Sequence, residues 1–214
     1  MARTAGSDGE RTQAAIREAA LALIARHGSE AVSMRQLAAE VGVPAAALYR
    51  YFPTKEGLLH ALMEAHMQAL IASWEAARPD SDDPAVRLAA YVDNHIRFHV
   101  ARRHSTHVSN MELRSLSRDR LSAVLKLRGG YEKELRRILR EGAEQGVFTI
   151  EDAALTAMAI IQMITGVIVW FRPDERLSVD EVTDSYHRMT MRLVGARETR
   201  ETPNVRPHDE FRAW

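Results

Sequence analysis

The chain has 214 residues, 46% hydrophobic and 27% charged, enough to bury one sizeable core or two unequal ones. It contains no cysteine, which excludes disulfide staples, thiolate metal centres and cysteine nucleophiles and fits a reducing, cytoplasmic setting. Lys and Arg number 29, as do Asp and Glu, so no net field marks the chain for a polyanionic partner and any nucleic-acid contact must be locally arranged.

The opening residues 1–10 lack the apolar run of a signal peptide and read as a disordered leader. From about Arg11 to His27, Ile16, Ala19, Ala20, Leu23 and Ile24 recur at helical spacing, and Gly28 stops the helix. Ser33-Met34-Arg35-Gln36 is a capping box that opens a second short helix ending near Glu40. Gly42 permits a sharp turn before a third helix, Pro44 to Tyr51, which Pro53-Thr54-Lys55 ends while capping the next. Two short helices joined by a glycine turn suggest a DNA-reading unit.

A long helix from Lys55 to about Ala77 carries Leu58, Leu62, Leu70 and Trp74 and links this unit to the rest. Further helices are predicted over Pro84–Arg102, Thr106–Leu116 and Arg118–Gln145, the last weakened and kinked by Gly129-Gly130. The last two helices open at Thr149 with Asp152 and at Ser178 with Glu181, around a loop at Arg172-Pro173-Asp174. The run Ala153 to Phe171 is long enough to consider as a membrane span, but Thr156, Gln162, Thr165 and Gly166 interrupt it, and burial between subunits explains it better. No stretch alternates as a strand does, so the fold is predicted all-α with about nine helices. It divides into a three-helix helix-turn-helix domain over residues 1–54, a ligand-binding and dimerisation domain over 55–197 and a mobile tail over 198–214.

The segment Ser33-Met34-Arg35-Gln36-Leu37-Ala38, then Val41-Gly42-Val43, then Ala47-Leu48-Tyr49-Arg50-Tyr51-Phe52-Pro53-Thr54-Lys55-Glu56, closely resembles the signature of TetR-type transcriptional regulators. The resemblance covers roughly the first quarter of the chain. It implies a homodimer that reads a palindromic operator in double-stranded DNA, most often as a repressor, with an effector held between helices of the C-terminal domain. The DNA-contacting set it implies is Ser33, Arg35, Pro44, Ala45, Ala46, Tyr49, Arg50 and Lys55. Tyr49 and Lys55 match residues that commonly bind phosphate, Arg35 and Arg50 are candidates for base edges, and the small residues of the third helix leave room for close approach. The chain departs from the commoner family pattern where Pro44 replaces a capping serine and Ala45 a lysine, which removes a hydroxyl and a charge from the DNA face. Phe52 is expected in the core.

Met63, Met67, Trp74, Tyr91, His95, Phe98, His99, Met111, Met158 and Met163 are the candidate ligand-lining residues, since flexible methionines suit an adaptable apolar pocket. A bundle interior asks for the same stripe. Dimerisation is assigned to Leu155, Ile161, Ile168, Val182 and Met189 on the last two helices.

Between Arg97 and Arg140 twelve basic residues face four acidic ones. Such a run is ordinarily a solvated face; the sharper reading is a set of arginines for a phosphorylated effector such as an acyl-coenzyme A thioester. The stretches Asn110-Met111-Glu112-Leu113-Arg114-Ser115-Leu116 and Trp170-Phe171-Arg172-Pro173 resemble a TetR branch tied to lipid and steroid breakdown, which points the same way. The alternative is a metal-binding helical enzyme using His95 and His99, four apart on a helix, with His104 and His107 following. No P-loop, nucleophile elbow, HExxH or dinucleotide glycine pattern occurs, so neither catalysis, a cofactor nor a resident metal is expected.

Overall fold

A computed structural model describes residues 5–173 and 175–196. Helices α1 (Ala5–His27), α2 (Met34–Val41) and α3 (Ala45–Tyr51) form the head, and α4 (Lys55–Ala77) leads out of it. Then come α5 (Pro84–Ala101), α6 (Arg103–Met111), a 3-10 turn at Leu113–Ser115, α7 (Arg118–Glu144), α8 (Ala153–Thr165), α9 (Val167–Trp170) and α10 (Val179–Leu193). No strand occurs among the described residues, and the chain is all-α as predicted.

Several features differ from those expected, among them the cap of α8, which is Asp152 and not Thr149. Helix α1 opens at Ala5, within the stretch expected to be a disordered leader. The apolar stripe begins only at Ile16, so periodicity locates the buried part of α1 and misses its solvated first turns. Helix α6 starts at Arg103 and tightens into the 3-10 turn after Met111, where one longer helix was expected. The run Ala153–Trp170 is long and apolar enough to cross a membrane by length and composition, yet Gly166 divides it into α8 and α9, and Ile160, Ile164 and Val167 are fully buried in the core. Helix α7 runs through Gly129-Gly130 without a break. Packing of Val124, Tyr131, Leu135, Ile138 and Leu139 outweighs the ~1 kcal/mol that each glycine costs a helix. The proposed mobile tail lies outside the described residues.

Two cores hold these helices. The head core gathers Ile16, Ala20, Ile24, Leu37, Leu48, Phe52, Leu58, Leu59, Leu62 and Met63, and Val108 of α6, Leu116 after the 3-10 turn and Val124 of α7 close it. The second core takes Met67, Leu70, Trp74, Leu88, Tyr91, Phe98, Tyr131, Ile138, Ile160, Phe171 and Val182 among others. The change from one core to the other falls inside α4, between Met63 and Met67. At Gly142 a Cβ would clash with the Phe148 ring, so α7 and the turn that follows pack together only with glycine there.

Candidate nucleic-acid interface and ligand core

Local chemistry sets the reading unit. The Ser33 hydroxyl accepts the Gln36 amide at 3.2 Å while the Gln36 side chain accepts the Ser33 amide at 2.8 Å, a reciprocal cap worth about 1 kcal/mol. Gly42, at φ 73, turns its amide back onto Ala38 and Ala39, a left-handed cap that other residues adopt at a cost. Helix α3 is anchored by Leu48, which is fully buried, and leaves Pro44, Ala46, Tyr49 and Arg50 exposed. Ala45 is half-buried, Ser33 and Arg35 are exposed at α2, and Phe52 lies in the core as expected.

Lys55 stands apart from this set. Its ammonium is half-buried and donates to the Ser29 carbonyl at 2.7 Å and the Val32 carbonyl at 3.2 Å. It ties the start of α4 to the turn between α1 and α2. The pairing spans more than twenty residues, beyond anything a local motif reveals.

Two carboxylates that sequence reasoning passed over join the head to the larger domain. Glu112, the C-cap of α6, accepts the Ser29 amide at 3.0 Å, the Ser29 hydroxyl and the Ser115 hydroxyl. Glu56, in the first turn of α4, accepts the Ser117 amide at 2.8 Å and lies 3.5 Å from Arg120. The Ser117 hydrogen bond is the main reason the Glu56 carboxyl titrates below its usual range.

Inside the larger domain, Met67, Trp74, Tyr91, His95, Phe98 and His99 are brought together and buried, with Met163 half-buried against them. Rings run in a chain: Trp74 to Tyr91 at 5.0 Å, Tyr91 to Tyr131 at 4.9 Å, His95 to His99 at 4.0 Å and His66 to His99 at 5.5 Å. His66 and Tyr131 are additions to the predicted group. Three predicted members leave it. Met63 packs in the head core, while Met111 (65% exposed) and Met158 (54% exposed) face outward, because a helix exposes one side even where methionine occurs.

The histidines are held neutral. His95 pairs Nδ1 with the Tyr131 hydroxyl at 3.2 Å and Nε2 with the Thr165 hydroxyl at 2.9 Å, and His99 Nδ1 donates to the His95 carbonyl at 2.7 Å. Burial lowers the His66 pKa to about 3 and that of His99 to about 4, with Arg128 adding to both, and pushes His95 well below its ordinary value. The stacked His95 and His99 rings point their nitrogens at separate partners rather than at one point. Among the described residues no three potential ligands gather as a metal site would require. The Trp74 indole Nε1 is buried with no partner among the described residues.

The dimer candidates also divide. Ile168 and Val182 are buried within the subunit, and Ile161 is half-buried against its core. Leu155 (64%), Met158, Val169 (63%), Met189 (40%) and Leu193 (49%) are the large exposed apolar side chains of α8 to α10. Helix α8 is apolar all round, so its hydropathy pattern cannot say which stripe faces inward.

The bacterial tetR-family regulatory-protein pattern matches residues 16–62, and the tetracyclin repressor-like C-terminal domain pattern matches residues 81–194. The chain belongs to the tetR family of bacterial regulatory proteins. The solved structure of PfmR, a TetR-family transcriptional regulator from Thermus thermophilus, is 34% identical and superposes with a TM-score of 0.76, covering 83% of this chain and 97% of that one. AibR, solved in complex with isovaleryl coenzyme A and operator DNA, is 26% identical with a TM-score of 0.78, covering 87% of this chain and 100% of that one. The nucleoid occlusion factor SlmA of Escherichia coli O1:K1 is 29% identical over 163 residues, 75% of this chain and 82% of its own length.

Proposed function

We propose that this tetR-family regulator is a cytoplasmic homodimeric repressor that reads a palindromic operator and releases it when a small apolar or acyl-coenzyme A-like effector enters the larger domain. The observation that carries the reading is the form of α3: one buried anchor, Leu48, under an exposed face of Pro44, Ala46, Tyr49 and Arg50. Small residues at the start of that helix admit close approach to base edges, Arg35 and Arg50 supply donors for them, and Tyr49 supplies a phosphate contact. AibR was solved with operator DNA and an acyl-coenzyme A on the same architecture, which supports both partners.

The interior cluster is the effector site in this reading. It is packed shut, ring against ring, so a ligand enters by parting α4, α5 and α7, and the energy of entry shifts the spacing of two heads. The second subunit covers Leu155, Met158, Val169, Met189 and Leu193. Selection of random double-stranded DNA at stated, near-physiological salt tests the whole reading, because nonspecific attraction depends steeply on salt. An enriched palindrome is the expected result, and no enrichment sinks it.

A further inference from the structure

One arginine of the basic run, Arg103, meets a cation from outside it, Arg172, on a single backbone oxygen. At the turn between α5 and α6, Arg103 Nη1 donates to the Phe171 carbonyl at 2.6 Å. Arg172 Nη1 donates to the same oxygen at 3.0 Å and to the Val169 carbonyl at 3.1 Å. Arg102 lies over the Phe98 ring, its guanidinium carbon 4.3 Å from the centroid. Several arginines of the larger domain have carboxylate partners, Arg87 with Glu141, Arg97 with Asp93 and Asp180, Arg136 with Glu132, Arg137 with Glu134 and Glu141, whereas Arg128 donates to the Ser109 carbonyl and to Asn110 Oδ1. Among the described residues, which leave out Asp174, no carboxylate pairs with Arg102, Arg103 or Arg172.

Two guanidiniums sharing one neutral oxygen repel each other, and the repulsion is relieved by an anion between them. Burial first, and the charge of Arg172 second, lower the Arg103 pKa, which places the two cations within reach of one another. Each retains N–H donors in the planar fork that matches phosphate oxygens. Two further features face the same place. Helix α6, nine residues long, starts there with no side-chain cap and no acid in its first turn, so its free amides and dipole favour negative charge. A narrow cleft of about 30 Å³, walled by Val100, Ile168, Phe171 and Pro173, adjoins Arg103 and gives an apolar seat beside the charge.

We propose that Arg103 and Arg172 form the receptor for a phosphate group carried by the effector, and that its occupancy bears on the head through α6. This rests on the ligand-responsive reading above and names the chemistry at the effector's polar end. Helix α6 is the connecting rod: the arginines stand at its first turn, and its C-cap Glu112 holds Ser29 of the head at the other end. An anion drawn between Arg103 and Arg172 competes for donors now spent on the Phe171 carbonyl, which loosens α6 from the loop after α9.

The test is calorimetric titration of the full-length protein with coenzyme A and, separately, inorganic pyrophosphate. The expected result is binding of coenzyme A that weakens about tenfold or more in the Arg103→Gln/Arg172→Gln double variant, as loss of charged hydrogen bonds predicts, and is unchanged in Arg140→Gln on exposed α7. Pyrophosphate binding lost in the same double variant identifies the phosphoanhydride itself as the recognised group; coenzyme A alone binding places recognition on phosphate within the larger molecule. Binding of neither probe, or binding equal in wild type and a double variant with an unaltered melting curve, overturns the proposal. Operator selection on the wild type without probe keeps the two readings separate: an enriched palindrome with no anion response sinks only this inference.

Discussion

The head and the larger domain are stabilised by different means. The head core is aliphatic, with Leu37, Leu48 and Leu58 fully buried and its polar groups at the margins as caps and ties. The larger core threads His66, Asn94, His95, His99 and Thr106 through its aromatic interior, each buried, and gives each histidine its own hydrogen-bond partners. Close-packed aliphatic layers have essentially one arrangement, whereas hydrogen-bonded polar groups inside a core can exchange partners with an incoming ligand. A rigid reader and an adaptable sensor are what that difference supplies.

The contrast is broken most severely at Leu48. Leu48→Ala is expected to cost about 2–5 kcal/mol, since the residue is fully buried and α3 has no other buried side chain. Loss of operator binding with the far-ultraviolet helix signal of the larger domain retained is the expected pattern. Equal affinity in the variant would show that α3 is not seated by this anchor.

Acid separates the two regions next. Histidines at about 3 and about 4 in the fold, against an unfolded value near 6.5, remain unprotonated while the unfolded chain takes up protons, so stability is full above pH 6.5 and falls as pH drops below it. Each histidine contributes a slope of up to about 1.4 kcal/mol per pH unit. Urea midpoints from pH 7 to pH 5 check this, and His66→Gln is expected to flatten the curve.

The joint between regions is sharpened at Glu112. Glu112→Gln and Ser29→Ala are each expected to cost about 1–3 kcal/mol, with a double-mutant cycle showing that the losses are shared rather than additive. Additive losses would mean that the contact carries no coupling between head and sensor.

The smallest effect concerns Lys55. Lys55→Met is expected to lower the melting temperature by a few degrees, from the loss of about 1–2 kcal/mol of charge-assisted hydrogen bonding, while leaving the salt slope of operator binding unchanged. A slope reduced by about one unit at constant stability would return Lys55 to the phosphate backbone.

How legible each region is in sequence follows from the range of its determinants. Ser33 with Gln36, Gly42, Thr54 and the Ser178–Glu181 box all act within four residues, and each cap stands where the local pattern places it. The interior cluster is half legible: Tyr91, His95 and Phe98 announce themselves by type and spacing, but Tyr131 and His66 join it from other helices. Met111 and Met158 fall outside it because composition does not phase a helix against its neighbours.

The all-helical class, the helix-turn-helix and its caps are readable from the chain alone, because they rest on local hydrogen bonding and on the helical period. Folding in three dimensions was needed to establish that Lys55 faces inward, that Glu112 reaches Ser29, that the apolar α8 turns Leu155 and Met158 outward, and that Arg103 and Arg172 share one carbonyl. Most of these pairings join residues tens of positions apart, and only the packing of helix against helix fixes which side chains meet.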